Sequence, residues 1–220
     1  MPLHRPTLRV ASSVAVTVGT YGVAFGAAGV AAGFSVWQTC LLSLIAFTGA
    51  SQFAAVSVIG AGGSALSAVA AASLLGVRNA LYGVQMAPRL GVSGWRRVLA
   101  AQLTIDESTG VALGQEGEGR HAVVQGFWLT GGGVYLFWNL ATLAGASGAH
   151  LLGDPARWGL DAAVPAAFLA LVWRRFADRR LIGVALAAMG FCALISPVVP
   201  AGLNIVATTL VAVVAGWVER

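Results

Sequence analysis

The chain has 220 residues, 58% of them hydrophobic and 10% charged, with a mean hydropathy of +0.82. Soluble domains carry about 25% charged residues, so this composition excludes a soluble globular protein and points to one embedded in a bilayer. The net charge of +5 is carried by arginine with no lysine present, and the arginines stand in short clusters between apolar runs, a topology signal and not a nucleic-acid surface.

The N-terminal MPLHRPTLR leads into an apolar run that is long enough to span and continues straight into more membrane sequence. It reads as a retained first helix and not as a cleaved signal peptide. From Val10 to Val77 there is no Asp, Glu, Lys, Arg or His, which leaves room for three passages of about 20 residues each. The alternation that a transmembrane β-barrel needs is absent, so the expected fold is all-α, a polytopic helical membrane protein forming one integral membrane domain over 1–220. Apolar segments are expected at 10–32, 36–59, 64–87, 98–115, 122–146, 160–173, 181–196 and 201–218, separated by glycines, prolines and charged clusters. Glycines at four-residue spacing in the first helix, Gly22 with Gly26 and Gly29 with Gly33, let helix backbones approach closely where lipid supplies no hydrophobic drive. Cys40 and Cys192 lie in apolar runs and are expected to be buried thiols. His4, His121 and His150 have no metal-ligand spacing, and no cofactor is expected.

The second segment is interrupted by Thr48-Gly49-Ala50-Ser51-Gln52, a poor way to continue an apolar helix. In the third, Arg78 lies roughly 21 Å along a helix counted from Ser64, too deep to reach either interface fully, so it needs a partner or a wet cavity. Asn79, Tyr82 and Gln85 accompany it on one face. The fourth segment carries Thr104-Ile105-Asp106-Glu107, a [ST]-x-x-[DE] pattern in which Thr104 would cap a helix start and Glu107 reach back to it. One of the two carboxylates is the natural partner of Arg78. The other is a candidate contact for an ammonium group or a proton carrier. In the fifth segment, Thr130-Gly131-Gly132-Gly133 either packs closely or marks an unwound point, and Asn139 is a candidate solute contact or an interhelical hydrogen bond. Asp161 and Asn204 read as caps or interface residues.

Arginine placement constrains the topology. Arg5 and Arg9 put the N-terminus in the cytoplasm, and Arg174, Arg175, Arg179 and Arg180 mark a second cytoplasmic loop. If every segment spans, the loop 88–97 with Arg89, Arg96 and Arg97 falls outside, against the rule. If 36–59 and 98–115 each enter and return on one side, every arginine cluster is cytoplasmic. The expectation is therefore six spanning helices plus two broken or re-entrant segments near 48–52 and 103–107, with eight spanning helices as the alternative. Enzymatic motifs are missing: Gly49-Ala50-Ser51 lacks the second glycine of G-x-S-x-G, and no Walker pattern occurs.

Four stretches in order, YGVAFG at 21–26, FTGASQFAAV at 47–56, VRNALYG at 77–83 and IDES at 105–108, make the chain resemble the AzlC-type branched-chain amino-acid permeases. Gly76, Asn79, Ile105 and Thr20 depart from that family's pattern. The resemblance implies a permease of the bacterial cytoplasmic membrane, exporting hydrophobic amino acids together with a small AzlD-type membrane subunit. Its expected substrate contacts are Thr48, Gly49, Ser51, Gln52, Phe53, Arg78, Asn79, Tyr82 and Asn139, with Asp106 and Glu107 serving the ammonium or a proton. A substrate-binding subunit of an ATP-driven importer and a passive small-solute channel are the other readings compatible with the composition.

Overall fold

The computed structural model describes residues 5–151, 166, 169, 173–199 and 203–218. His4, Asp161 and nearly all of the segment expected at 160–173 lie outside the described residues. The described chain is helical: α1 (Arg5–Ala31), α2 (Val36–Ile45), α3 (Ala50–Gly60), α4 (Ala65–Leu90), α5 (Trp95–Gln102), α6 (Asp106–Gly114), α7 (Arg120–Leu151), α8 (Arg179–Ile195) and α9 (Leu203–Val218), with one-turn 3-10 helices at Glu116–Glu118 and Trp173–Ala177. Among the described residues, α1 and α4 are the helices both long and apolar enough to cross a membrane by length and composition. Each apolar segment expected at 36–59 and 98–115 is divided into two short helices.

Helices α1 and α7 form the frame. Gly19 lies against Phe137, Gly22 against Trp138 and Ala141, Gly26 against Thr142 and Ala146, and on the partner side Gly133 lies against Ala15 and Gly145 against Val23. The partner numbers rise together, so the two helices run parallel. At Gly22, Gly26 and Gly145 a Cβ atom would meet the neighbouring backbone, so glycine there permits the approach. The three glycines at 131–133 belong to a continuous helix. Gly131 faces Leu103 and Gly133 faces Ala15, so these two are packing positions in an unbroken helix, whereas Gly132 has open space beside it.

The pair α2–α3 dips into this frame and comes back. Thr39, near the start of α2, packs on Gly29, and Gly60, the end of α3, sits against Ala32, so both outer ends lie at the C-terminal end of α1. Between them the chain descends: Ser43 is 3.3 Å from Thr142 and the Tyr135 hydroxyl donates to the Leu44 carbonyl at 3.2 Å. The pair α5–α6 does the same from the opposite end. Gln115 accepts a hydrogen bond from Thr7 in α1 at 2.8 Å, Arg89 at the end of α4 pairs with Glu116 at 2.7 Å, and Arg120 at the start of α7 donates to the Arg89 carbonyl. A long helix followed by a returning pair thus occurs twice, in opposite orientations. Helices α8 and α9 pack on each other, and α9 also touches α4.

The two turning points meet at mid-height. Phe47, Phe53 and Ile105 from the tips join Phe25 and Trp138 in one buried cluster. Phe25 and Phe53 meet edge to face at 5.5 Å, and Trp138 lies 6.1 Å from Phe25 and 6.2 Å from Phe53. A second cluster of Met86, Leu90, Ala100, Ala112, Val123 and Phe127 fixes α5–α6 between α4 and α7, and a third of Ala54, Val58, Ala68 and Ala71 fixes α3 on α4.

The local chemistry explains each break. Ser35 and Gln38 close a capping box at the start of α2, Ser35 N–H donating to Gln38 Oε1 at 2.8 Å and Gln38 N–H to Ser35 Oγ at 3.2 Å. Gly49 then takes φ +55°, ψ −92°, a positive-φ conformation that glycine adopts at little cost, and α3 restarts at Ala50. The first break therefore covers 46–49, and Ser51 and Gln52 belong to the first turn of α3. At the second break the expected Thr104–Glu107 capping box does not form. Thr104 instead donates to Ala100 O at 2.7 Å inside the end of α5, the residue preceding α6 is Ile105, and its N–H is taken by Ser108 Oγ at 3.1 Å. The sequence pattern was one residue out of register with the helix it announced.

Candidate functional site

A cavity of about 140 Å³ lies where the two breaks meet. Thr48, Gly49 and Ala50 enter it from the first break, Ile105, Asp106 and Glu107 from the second, and Arg78 from the middle of α4. Val18, Tyr21, Phe47, Phe53, Val134 and Trp138 supply an apolar and aromatic wall.

The first break is finished asymmetrically. The last carbonyls of a helix have no partner within it, yet those of α2 are all taken. Gln52 Nε2 donates to Leu42 O and Ser43 O at 3.2 Å each, Gln102 Nε2 reaches across from α5 to Leu44 O at 2.9 Å and Ile45 O at 3.2 Å, and Tyr135 adds its hydroxyl to Leu44 O. The amide end of α3 receives the opposite treatment. No side chain caps it, no acidic residue stands in its first turn, and its flanking residue Gly49 lines the cavity. In α6 the amide end carries its own counter-charges, Asp106 and Glu107, in the first turn.

Arg78 and Asp106 form an ion pair at 2.7 Å, with each side chain 38% exposed. Tyr82, one turn beyond Arg78, interacts through its hydroxyl with the same carboxylate. Asp106 is thus committed to Arg78, and the neighbouring Glu107 is the carboxylate left facing the cavity. Arg78 Nε is buried and has no acceptor among the described residues.

Of the residues expected from sequence to contact a solute, the structure brings Thr48, Gly49, Phe53, Arg78, Asp106 and Glu107 to the cavity. Ser51, Gln52, Asn79, Tyr82 and Asn139 lie outside its wall. Ser51 sits next to Gly76 of α4, Gln52 is 1% exposed and occupied with the end of α2, and Asn139 donates to Tyr135 O at 2.7 Å within its own helix, not across to another. Tyr82 acts on Asp106 and so reaches the cavity at second hand, while Phe53 does present its ring. Asn204 joins two elements as expected, donating to Ser196 Oγ at 2.9 Å. Cys40 and Cys192, expected to be buried, are free thiols that are only half-buried.

Sequence reasoning missed Trp138, Tyr135 and Gln102. The first two had a signal: Tyr135, Trp138 and Thr142 are spaced by three and four along α7, one stripe of polar-tipped side chains, and all three meet α2–α3.

The family model described as AzlC protein matches residues 13–152, from α1 to the end of α7. The chain belongs to the AzlC family. The matched span contains every element that builds the cavity, and it runs well past the four motifs that carried the resemblance in the first half. No curated protein and no solved structure matches the chain. AzlC proteins are components of membrane transport systems and not enzymes. Exposed side chains along α1, α4 and α7, among them Val16, Val23, Leu81, Val84, Leu136 and Leu140, are accordingly the apolar surface of a membrane protein.

Proposed function

We propose that this AzlC protein is the large subunit of a bacterial inner-membrane exporter of branched-chain and other hydrophobic amino acids, assembled with a small AzlD-type membrane subunit. The observation that carries the reading is the one-sided finish of the first break. Its carbonyl end is closed by Gln52, Gln102 and Tyr135, and its amide end opens on the cavity uncapped. Such an end attracts a carboxylate through free N–H groups and the helix dipole. Arg78 adds positive charge on the same cavity, and Glu107, free of Arg78, faces the ammonium of the solute. The apolar side chain lies against Phe47, Phe53 and Val134. A cavity of about 150 Å³ admits benzene, so the space here matches a side chain of leucine or valine size.

Proton binding to Glu107 removes the charge that holds the ammonium, which links solute release to proton movement. The two returning pairs stop half-way across the bilayer, and all of Arg9, Arg89, Arg96, Arg97 and Arg120 then fall on one face. By the positive-inside rule that face is cytoplasmic, the N-terminus included.

Efflux of leucine from preloaded cells or proteoliposomes, with and without the coexpressed small subunit, tests this. Arg78→Ala should lower efflux by about ten- to hundredfold, as expected for losing a contact to a charged group, and Glu107→Gln should abolish its dependence on a proton gradient. Unchanged efflux in correctly inserted Arg78→Ala protein would remove the site assignment, and flux indifferent to the gradient in the parent protein would point to a passive channel.

A further inference from the structure

We infer that Trp138 is a solute-binding residue, whose indole N–H donates a hydrogen bond to the carboxylate held at the amide end of α3. Trp138 is 5% exposed and forms part of the cavity wall, and its Nε1–H has no acceptor among the described residues. Buried donors are rarely left without a partner, and this one stands in the same cavity wall as the uncapped start of α3. The Nε–H of Arg78 is a second buried donor without an acceptor on the same cavity. Three donors, the α3 amides, the Trp138 indole N–H and the Arg78 Nε–H, therefore belong to residues that border one space, and none of them has a side-chain cap or acceptor among the described residues. A ligand rich in acceptors supplies what is missing, and a carboxylate, with two oxygens and about four lone-pair sites, has acceptors enough for more than one of them.

Packing alone does not account for a tryptophan here. The ring fits between Phe25 and Phe53, both nearly inaccessible, and phenylalanine would fill an aromatic cluster without creating an orphan N–H. Those two contacts also fix the plane of the indole, so the donor is held in place before the solute arrives, which lowers the ordering cost of binding.

The inference rests on the reading above that the cavity takes an amino acid, and the test separates the two. Binding to the purified protein would be measured for L-leucine and for 3-methylbutylamine, the same molecule without its carboxylate. The parent protein should prefer leucine, and Trp138→Phe should weaken leucine by about ten- to hundredfold while leaving the amine unchanged, so that the preference collapses. If Trp138→Phe fails to fold, an analogue carrying sulfur in place of the indole N–H at position 138 removes the donor and keeps the shape. Leucine binding unchanged in either variant, with the parent still preferring leucine over the amine, would overturn the role of Trp138 and leave the proposed function standing. A parent protein that binds leucine no better than the amine would overturn both.

Discussion

At the scale of single residues, the site depends on which polar atoms have partners and which do not. Arg78 and Asp106 neutralise one another, so removing either leaves an unpaired charge, whereas removing both removes the problem. Arg78→Ala and Asp106→Asn should each reduce the amount of folded protein recovered, and the double variant should recover most of it. Transport should remain lost in all three, and size-exclusion recovery alongside efflux separates the two effects. Gly49 offers a cleaner test of backbone conformation, because a Cβ there would touch nothing within 4 Å and its φ is +55°. Gly49→Ala should cost about 1–3 kcal/mol from backbone strain alone, visible as a lowered melting temperature in detergent with the aromatic cluster intact. The residues legible in the sequence were the ones whose chemistry is out of place in lipid: Arg78, Asp106 and Glu107 stand out because a charge there demands an explanation. Trp138 and Tyr135 did not stand out, since an aromatic ring in an apolar helix looks like packing until its N–H or O–H is followed to a partner or to none.

At the scale of elements, the two breaks were readable because several weak signals coincided, small polar residues in the chain and arginines that could not otherwise be placed. Their finish was not readable. Gln52 serves carbonyls nine and ten positions earlier and Gln102 serves carbonyls more than fifty positions away, and no local pattern encodes such distances. Thr104 misled for a related reason: its hydroxyl had a nearer acceptor in Ala100 O, and local side-chain bonds compete with capping. Gln52→Leu should leave buried carbonyls of α2 without donors, at about 1–3 kcal/mol. The same change at Gln102 should cost a similar amount and also loosen one tip from the other. Hydrogen exchange at Leu42–Ala46 would rise in the first variant and at both tips in the second; equal protection in parent and variants would mean that these side chains do not hold the break.

At the scale of the whole molecule, a long helix with a returning pair appears twice in opposite orientations, and the proposed topology makes that arrangement testable. With Cys40 and Cys192 replaced, a cysteine at Ser93 should react only from the cytoplasmic side and one at Ala61 only from outside; labelling of Ser93 from outside would rule out the returning pairs and restore the alternative of eight crossings. The parallel arrangement of α1 and α7 was not foreseeable from periodicity, which gives a helix its face but not its neighbour, although Gly22 and Gly26 on one face announced that some backbone would come close. That contact has a mechanical meaning. Gly22 and Gly26 on α1 and Gly145 on α7 bring main chain against main chain with no side chain between them to change rotamer, so the joint has no slack to take up. Any movement that opens the cavity first to one face and then to the other would have to be made by α2–α3 and α5–α6 against a rigid strut, and Gln102, whose amide ties α5 to the end of α2, marks the place where the moving parts would part company.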